Sequence, residues 1–180
     1  ASSLAAQDTP LPIVPAPVQP ATPKIFTPPV GCEVFVTVQL RGCVVAHHYI
    51  CEQDAPGDQW DIMFDMTGPF YQSRINAETQ WVESISLPGG EASYLAEGAA
   101  DPASFTELLA TNVDTYDFET VNDVGVVTHY VGQDRLTGKS VIIDGVAMEQ
   151  TEFQINAADE TGTVFWKRGG NELISREWRL

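Results

Sequence analysis

Basic residues are scarce in this chain of 180 residues. It has 9 Lys and Arg against 25 Asp and Glu, which gives a formal net charge of −16. Such a chain is repelled by nucleic acid and by anionic lipid surfaces. We therefore expect no nucleic-acid partner. The acidic surface favours solubility or the docking of a basic partner protein.

Long apolar runs and familiar catalytic motifs are also missing. No run approaches the roughly 18 apolar residues of a membrane-spanning helix, so the chain is not expected to be transmembrane. Phosphate-binding glycine loops, G-x-S-x-G, H-E-x-x-H and EF-hand loops do not occur. His47 and His48 are neighbours in a predicted strand and point to opposite faces, so they cannot share one metal ion. We predict no metal and no cofactor, and these absences favour a non-catalytic protein over an enzyme.

Cysteine is rare and confined to one segment. The 3 cysteines lie between Cys32 and Cys51, and no C-x-x-C pair is present to suggest zinc. Apolar and polar residues alternate from Cys32 to Leu40, which predicts a half-buried strand. A two-residue turn at Arg41-Gly42 would place all three cysteines on the apolar face of a hairpin.

That register predicts the disulfide. With the two-residue turn, Leu40 faces Cys43 and Cys32 faces Cys51 at bridging distance. A longer turn would permit a Cys43–Cys51 bridge instead, and otherwise Cys43 is free. A disulfide indicates an oxidising compartment, and the small residues Ser3 to Ala6 are typical of a signal-peptide cleavage region. We therefore expect a periplasmic or secreted protein.

Proline divides the chain into two regions. Residues 1–30 hold eight of the 12 prolines. Because proline lacks the backbone N–H that helices and sheets require, this stretch predicts an extended N-terminal arm. Residues 31–180 then form a single antiparallel β domain.

Short alternating runs separated by turn residues continue through that domain. Asp101-Pro102 predicts the start of one short helix, with Asp as N-cap. Gly169-Gly170-Asn171 and Asp144-Gly145 predict hairpin turns. The fold class predicted is mainly β: a curved antiparallel meander of about ten strands, half-barrel or barrel-like. The later strands are predicted at 115–121, 126–131, 139–143, 146–155, 163–167 and 173–180.

The strand rhythm from Cys32 to Leu180 resembles that of exported lipocalin-like and LolA-like half-barrel proteins. The turns Thr137-Gly138-Lys139 and Ile143-Asp144-Gly145-Val146 contribute to this resemblance. It implies a hollow that binds a lipid-like or acylated ligand. No motif carries a family site residue over to a position of this chain.

Aromatic residues at inward strand positions are the candidates for lining such a hollow. Trp60, Phe64, Trp81 and Trp166 are the ligand-cavity candidates, and the alternative is that they form an ordinary core. Glu83 shares the face of apolar neighbours and is the polar candidate, unless it pairs with Arg74 across the turn.

Three functions remain open from the sequence. The first is an exported, non-catalytic binding protein for a hydrophobic or acylated ligand, with lipid or another apolar small molecule as partner. The second is a structural or interaction module of the cell envelope, using the proline-rich arm and the acidic surface to hold a basic envelope protein. The third is a hydrolase whose site, centred on His48 or His129, is scattered over several strands.

Overall fold

A computed structural model describes residues 26–180 and shows one antiparallel sheet with one short helix. The first five strands are β1 (Cys32–Leu40), β2 (Val44–Cys51), β3 (Gln59–Asp65), β4 (Gly68–Ile75) and β5 (Trp81–Ser86). The remaining elements are β6 (Ala92–Leu95), α1 (Phe105–Thr111), β7 (Val113–Asn122), β8 (Val127–Ile143), β9 (Val146–Ala158) and β10 (Val164–Ile174).

Each strand pairs with the next one along the chain. The ten strands follow the order β1 to β10, and β1 and β10 are not paired with each other, so the sheet is open. This confirms the predicted mainly-β meander of ten strands with one short helix. Within residues 26–180 no helix is long and apolar enough to cross a membrane.

The predicted N-terminal arm falls outside the described residues except at its end, residues 26–30. There Phe26 stacks on His47, with 5.3 Å between ring centroids, and also contacts Tyr49 and Phe64. The division into an arm and one β domain stays a prediction.

The first hairpin forms the predicted disulfide through a different register. The turn is longer than predicted, because Leu40 pairs with Val44 and leaves Cys43 in the loop, exposed, with a φ of 61°. The placement of Cys43 on the apolar face was therefore wrong. A register irregularity at Phe35 compensates for the extra turn residue, so Cys32 still pairs with Cys51 and the two form the disulfide.

The last strands are longer than predicted. The runs predicted at 126–131 and 139–143 join into β8, with a register irregularity between Leu136 and Ser140. Gly169 and Gly170 were predicted to form a turn, but they lie inside β10 and pair with β9, because a glycine can also adopt an extended backbone. The strand predicted to run to Leu180 ends at Ile174.

The helix begins later than predicted. Ser104 is its N-cap, and the Ser104 hydroxyl accepts a hydrogen bond from the Glu107 amide at 3.1 Å. Asp101 instead pairs with Asp117 in an isolated β-bridge, which holds the chain before the helix against β7. The prediction of an Asp101 N-cap was wrong because a second capping residue follows three positions later.

Apolar side chains pack on both faces of the sheet, at different places. On one face, which we call the Phe118 face, Tyr116, Phe118, Phe153 and Ile155 form a buried core. On the other, the Tyr49 face, Tyr49 is 2% exposed and stacks on the Trp60 ring.

The residues after β10 reach back to the opposite edge of the sheet. Trp178 contacts the Phe35 ring, and the Trp178 carbonyl accepts a hydrogen bond from the Gln59 side chain at 2.7 Å. Arg179 donates to Glu78 at 3.0 Å and lies over the Phe105 ring of α1. The final residues therefore connect the last strand to β1, β3 and α1 across the Phe118 face.

Candidate functional site

The structure divides the predicted cavity residues between the two faces. Trp60, Phe64 and Glu83 lie on the Tyr49 face, as their register partners show. Trp81 contacts Phe118 and therefore lies on the Phe118 face. A register irregularity at the start of β5 separates Trp81 from the alternation that places Glu83 on the other face. Trp166, paired with Ala157, lies on the Phe118 face and is 38% exposed. The five residues therefore do not surround one hollow.

Glu83 forms part of an ion-pair network. The Arg74 guanidinium donates to Asp58 at 3.0 Å and to Glu83 at 3.3 Å. It also lies 5.3 Å from the centre of the Trp60 ring. Since Asp58 is only 8% exposed, Arg74 neutralises a buried carboxylate, and this network ties β3, β4 and β5 together.

A second polar row crosses the first strands on the Phe118 face. His48 pairs with Asp61, Asp61 with Ser73, and Ser73 with Ser84. The Ser73 hydroxyl donates to Asp61, whose pKa is raised by burial, with this hydrogen bond opposing the shift. Burial, with a smaller contribution from His47, lowers the pKa of His48 to about 4, so His48 is neutral at pH 7.

These contacts do not assemble a Ser-His-Asp triad within residues 26–180. Thr37 and His47 form a hydroxyl–imidazole hydrogen bond at 2.8 Å, with no carboxylate bonded to the ring. His129 bonds Asp117 at 2.6 Å, with no hydroxyl on its other nitrogen. A nucleophile, a base and an orienting acid must lie in one chain of hydrogen bonds, and each pair here lacks one member.

A broad depression runs along β9 and β10. Its volume is about 630 Å³, and it is lined by residues 152–156 and 167–171. Most of its lining residues are polar, and Phe153 and Ile155 are 9% and 5% exposed, so they contribute little of its surface. Its volume is in the range of small-ligand sites, although it is an open depression rather than an enclosed cavity.

Three carboxylates, on β7, β8 and β10, lie on the same face as Phe153. Asp114 pairs with Asp134 across β7 and β8, and Asp134 pairs with Phe153. Glu172 of β10 pairs with Thr151, the inward residue two positions before Phe153. We call Asp114, Asp134 and Glu172 the carboxylate cluster.

Burial raises the pKa of every member of this cluster, and repulsion from the other two members contributes only at Asp134. The pKa of Asp134 is about 7, raised by burial, then by Glu172 and Asp114. The pKa of Asp114 is about 6, raised mainly by burial, and a hydrogen bond from the Ser104 amide at 2.9 Å opposes the shift. Glu172 lies on the exposed strand β10, where partial burial of its carboxylate raises its pKa against the opposing charge of Arg168.

The hydroxyl of Tyr116 lies among the same charges. Its pKa is raised by burial, then by Asp134, Glu172 and Asp114 in that order. The Tyr116 ring lies over Gly132, where an added Cβ would come 2.5 Å from it. Only glycine fits at that position, so Gly132 brings the Tyr116 ring close to the cluster.

Sequence reasoning missed the cluster, Phe153 and Gly170. Asp114, Tyr116 and Phe118 lie two positions apart along β7 and therefore point to the same face. An acidic residue in this apolar series was a visible signal. No comparable signal marks Asp134 or Glu172, because only the pairing of β7 to β10 brings them together.

Comparison with known proteins adds no assignment: no family model, curated protein or solved structure matches the chain. In the part of the chain that the structure describes, no group of three or more His, Cys, Asp or Glu residues could hold a metal ion.

Proposed function

We propose that this chain is an exported, non-catalytic binding protein for a hydrophobic or acylated ligand. The depression along β9 and β10 carries the proposal, because it offers about 630 Å³ lined by polar residues of both strands together with Phe153 and Ile155. The Cys32–Cys51 disulfide supports a periplasmic or secreted location, since such bonds persist in oxidising compartments.

The ligand would lie against the sheet surface rather than inside a closed barrel. The sheet is open between β1 and β10, and β10 is exposed along nearly its whole length. Trp166, one of the predicted cavity residues, lies on this strand and on the face of Ile155 and Phe153. It would extend the apolar surface beyond the depression, whereas Trp60, Phe64 and Glu83 would have a structural role.

A fluorescent fatty-acid probe tests this function. We expect saturable binding to the unmodified protein, and a loss of about tenfold or more in affinity for Gly170→Leu, which adds a side chain to the lining of the depression. The backbone at Gly170 is not left-handed, and an added Cβ would lie in ordinary contact with Phe153 at 3.4 Å, so the variant is expected to fold.

Ser140→Leu is the matched control, because it adds the same side chain at an exposed strand position outside the depression. We expect this variant to bind the probe as the unmodified protein does. Absence of saturable binding, or equal affinity in both leucine variants, would contradict the proposal.

A further inference from the structure

The outer edge of β10 is uncovered. β10 is the last strand of the sheet, so β9 pairs with one of its sides and no strand within residues 26–180 pairs with the other. All of its residues except Ile174 are exposed. A strand edge of this kind presents backbone N–H and C=O groups that form hydrogen bonds with a strand of another chain.

The opposite edge of the sheet is less accessible. Pro28 and Pro29 lie shortly before β1, and proline cannot donate to a strand ladder. Most residues of β1 are half-buried, and the Trp178 ring packs against Phe35 of this strand. β10 contains no proline, so its edge is the one suited to an added strand.

β10 carries exposed apolar side chains towards both of its ends. Phe165 is 63% exposed, Trp166 38% and Leu173 39%. Between them lie Arg168 and Glu172, neither of which forms a salt bridge within residues 26–180. The strand therefore offers apolar surface and both signs of charge to a partner.

The regular part of β10 is centred on Gly170. The register with β9 shifts between Val164 and Trp166, and regular pairing then continues to Ile174. Gly170 is four positions from Trp166 and four from Ile174. A two-fold axis through Gly170, perpendicular to the sheet, would align the whole regular part of one β10 antiparallel with that of a second copy.

This alignment is self-complementary in charge and in hydrophobicity. Arg168 and Glu172 are each two positions from Gly170, so Arg168 of each copy lies directly opposite Glu172 of the other. Trp166 lies opposite Ile174 in the same way. Directly opposed residues of antiparallel strands have Cβ atoms about 4.5–5.5 Å apart, and both opposite charges and apolar pairs at such positions stabilise the pairing.

Neighbouring registers lose this match. Opposed side chains must share a face of the sheet, so the axis passes through a residue rather than between two. With the axis at Gly169, Arg168 lies opposite Gly170. With the axis at Asn171, it lies opposite Ile174. Only the axis at Gly170 places Arg168 opposite Glu172, and glycine at this position allows a second backbone to approach closely.

We propose that β10 is a dimerisation edge, at which two copies of this chain pair their β10 strands antiparallel about Gly170 and join their sheets into one. Pairing over residues 166–174 of each copy gives about nine backbone hydrogen bonds, which is typical of a protein–protein interface. The inference goes beyond the proposed ligand-binding function and does not rest on it, and its test involves no ligand.

Analytical ultracentrifugation of the full chain tests the dimer. The samples span about 1 μM to about 100 μM in about 0.15 M salt, which screens the repulsion between chains of net charge −16. Every sample carries Cys43→Ser, so that the exposed thiol cannot link two copies. We expect a concentration-dependent shift to twice the mass of one chain. A chain that stays monomeric throughout would overturn the proposal, because a second copy would then not be the partner of β10.

Charge reversal tests the register. Arg168→Glu and Glu172→Arg each place like charges opposite each other twice in the dimer, so each should weaken dimerisation by about tenfold or more. The two reversals combined in one chain restore opposite charges without changing the net charge. The combined variant should dimerise within about threefold of the unmodified protein.

Lys167→Glu is the matched control for Arg168→Glu. It makes the same change in net charge at the adjacent residue, which lies opposite the apolar Leu173 in the proposed dimer. We expect it to weaken dimerisation by about threefold or less.

Three results would overturn the assignment of this edge and register. Equal weakening by Lys167→Glu and Arg168→Glu would mean that net charge controls dimerisation. A combined reversal that does not restore the dimer would mean that Arg168 and Glu172 are not opposed. A dimer that neither single reversal weakens would have formed through another surface.

Discussion

The first five strands and the last five differ in how their carboxylates are paired. In β1 to β5, Asp58 and Glu83 share Arg74, whereas Asp61 accepts only the Ser73 hydroxyl and keeps Oδ2 buried without a partner. In β7 to β10, the three carboxylates of the cluster have no ion pair among the described residues. Charges that are satisfied locally stabilise a fold, whereas a group of like charges without a partner adds a cost to folding.

The two regions also differ in what holds them. The first hairpin is closed covalently by the Cys32–Cys51 disulfide. The later strands are held by an aromatic core in which Phe118 stacks on Tyr130 at 5.2 Å and meets the edge of Trp81. The first region is therefore distinguished by a covalent bridge and the second by the Phe118 core, to which Trp81 of β5 also contributes.

Removing the disulfide should have the largest effect. We expect Cys32→Ser with Cys51→Ser to lower the free energy of unfolding by about 3 kcal/mol, because the bridge closes a loop between residues 19 apart. Urea denaturation measures the change. Cys43→Ser is the control and should cost no more than about 0.5 kcal/mol, because Cys43 is exposed and free. Equal effects would show that the bridge contributes little to the first region.

Breaking the Arg74 network should have the next largest effect. Arg74→Met leaves Asp58 buried without its partner, and we expect it to cost about 2 kcal/mol. The matched control lies in the second region: Arg135→Met breaks a pair with Glu152 whose side chains are 52% and 44% exposed, so solvent screening leaves little to lose. If urea denaturation gave equal losses for the two variants, the contrast in ionic support between the two regions would be wrong.

Neutralising a member of the carboxylate cluster should stabilise the protein. The pKa of Asp134 is about 7 in the folded protein and about 4 in the unfolded chain. Between about pH 4 and pH 7 the Asp134 carboxyl is therefore protonated in the folded state and ionised in the unfolded state. Its contribution to stability is fully present below about pH 4 and is lost as the pH rises through about 7.

Asp134→Asn removes the carboxyl group, so the stability that is lost when Asp134 ionises at high pH is retained. We expect the variant to be more stable than the unmodified protein by about 1 kcal/mol near pH 8, with no difference near pH 4. Thermal unfolding at the two pH values measures this change. A variant that is less stable near pH 8 would mean that the Asp134 charge already has a partner, and the difference between the two regions would disappear.

Local signals predicted much of the fold. Alternation of apolar and polar residues, with Gly, Pro and Asp turns, was sufficient for a ten-stranded antiparallel meander. The Cys32–Cys51 bridge was one of the pairings that the hairpin predicted, and the structure forms it. The pairing of Glu83 with Arg74, weighed as an alternative to a ligand-binding role, is confirmed. These features depend on residues close in the sequence, whose geometry follows from a period of two and a short turn.

Tertiary structure decided which residues share a face and which charges meet. The irregularity at Phe35 restored the cysteine register, and the one at the start of β5 accompanies Trp81 on the opposite face from Glu83. A shift of one residue moves every later side chain to the other face of a strand, so no pattern in the sequence could combine the five predicted cavity residues correctly. Asp114, Asp134 and Glu172 share a face only because β7 to β10 pair in order, and long-range pairing of this kind leaves no local trace in the sequence.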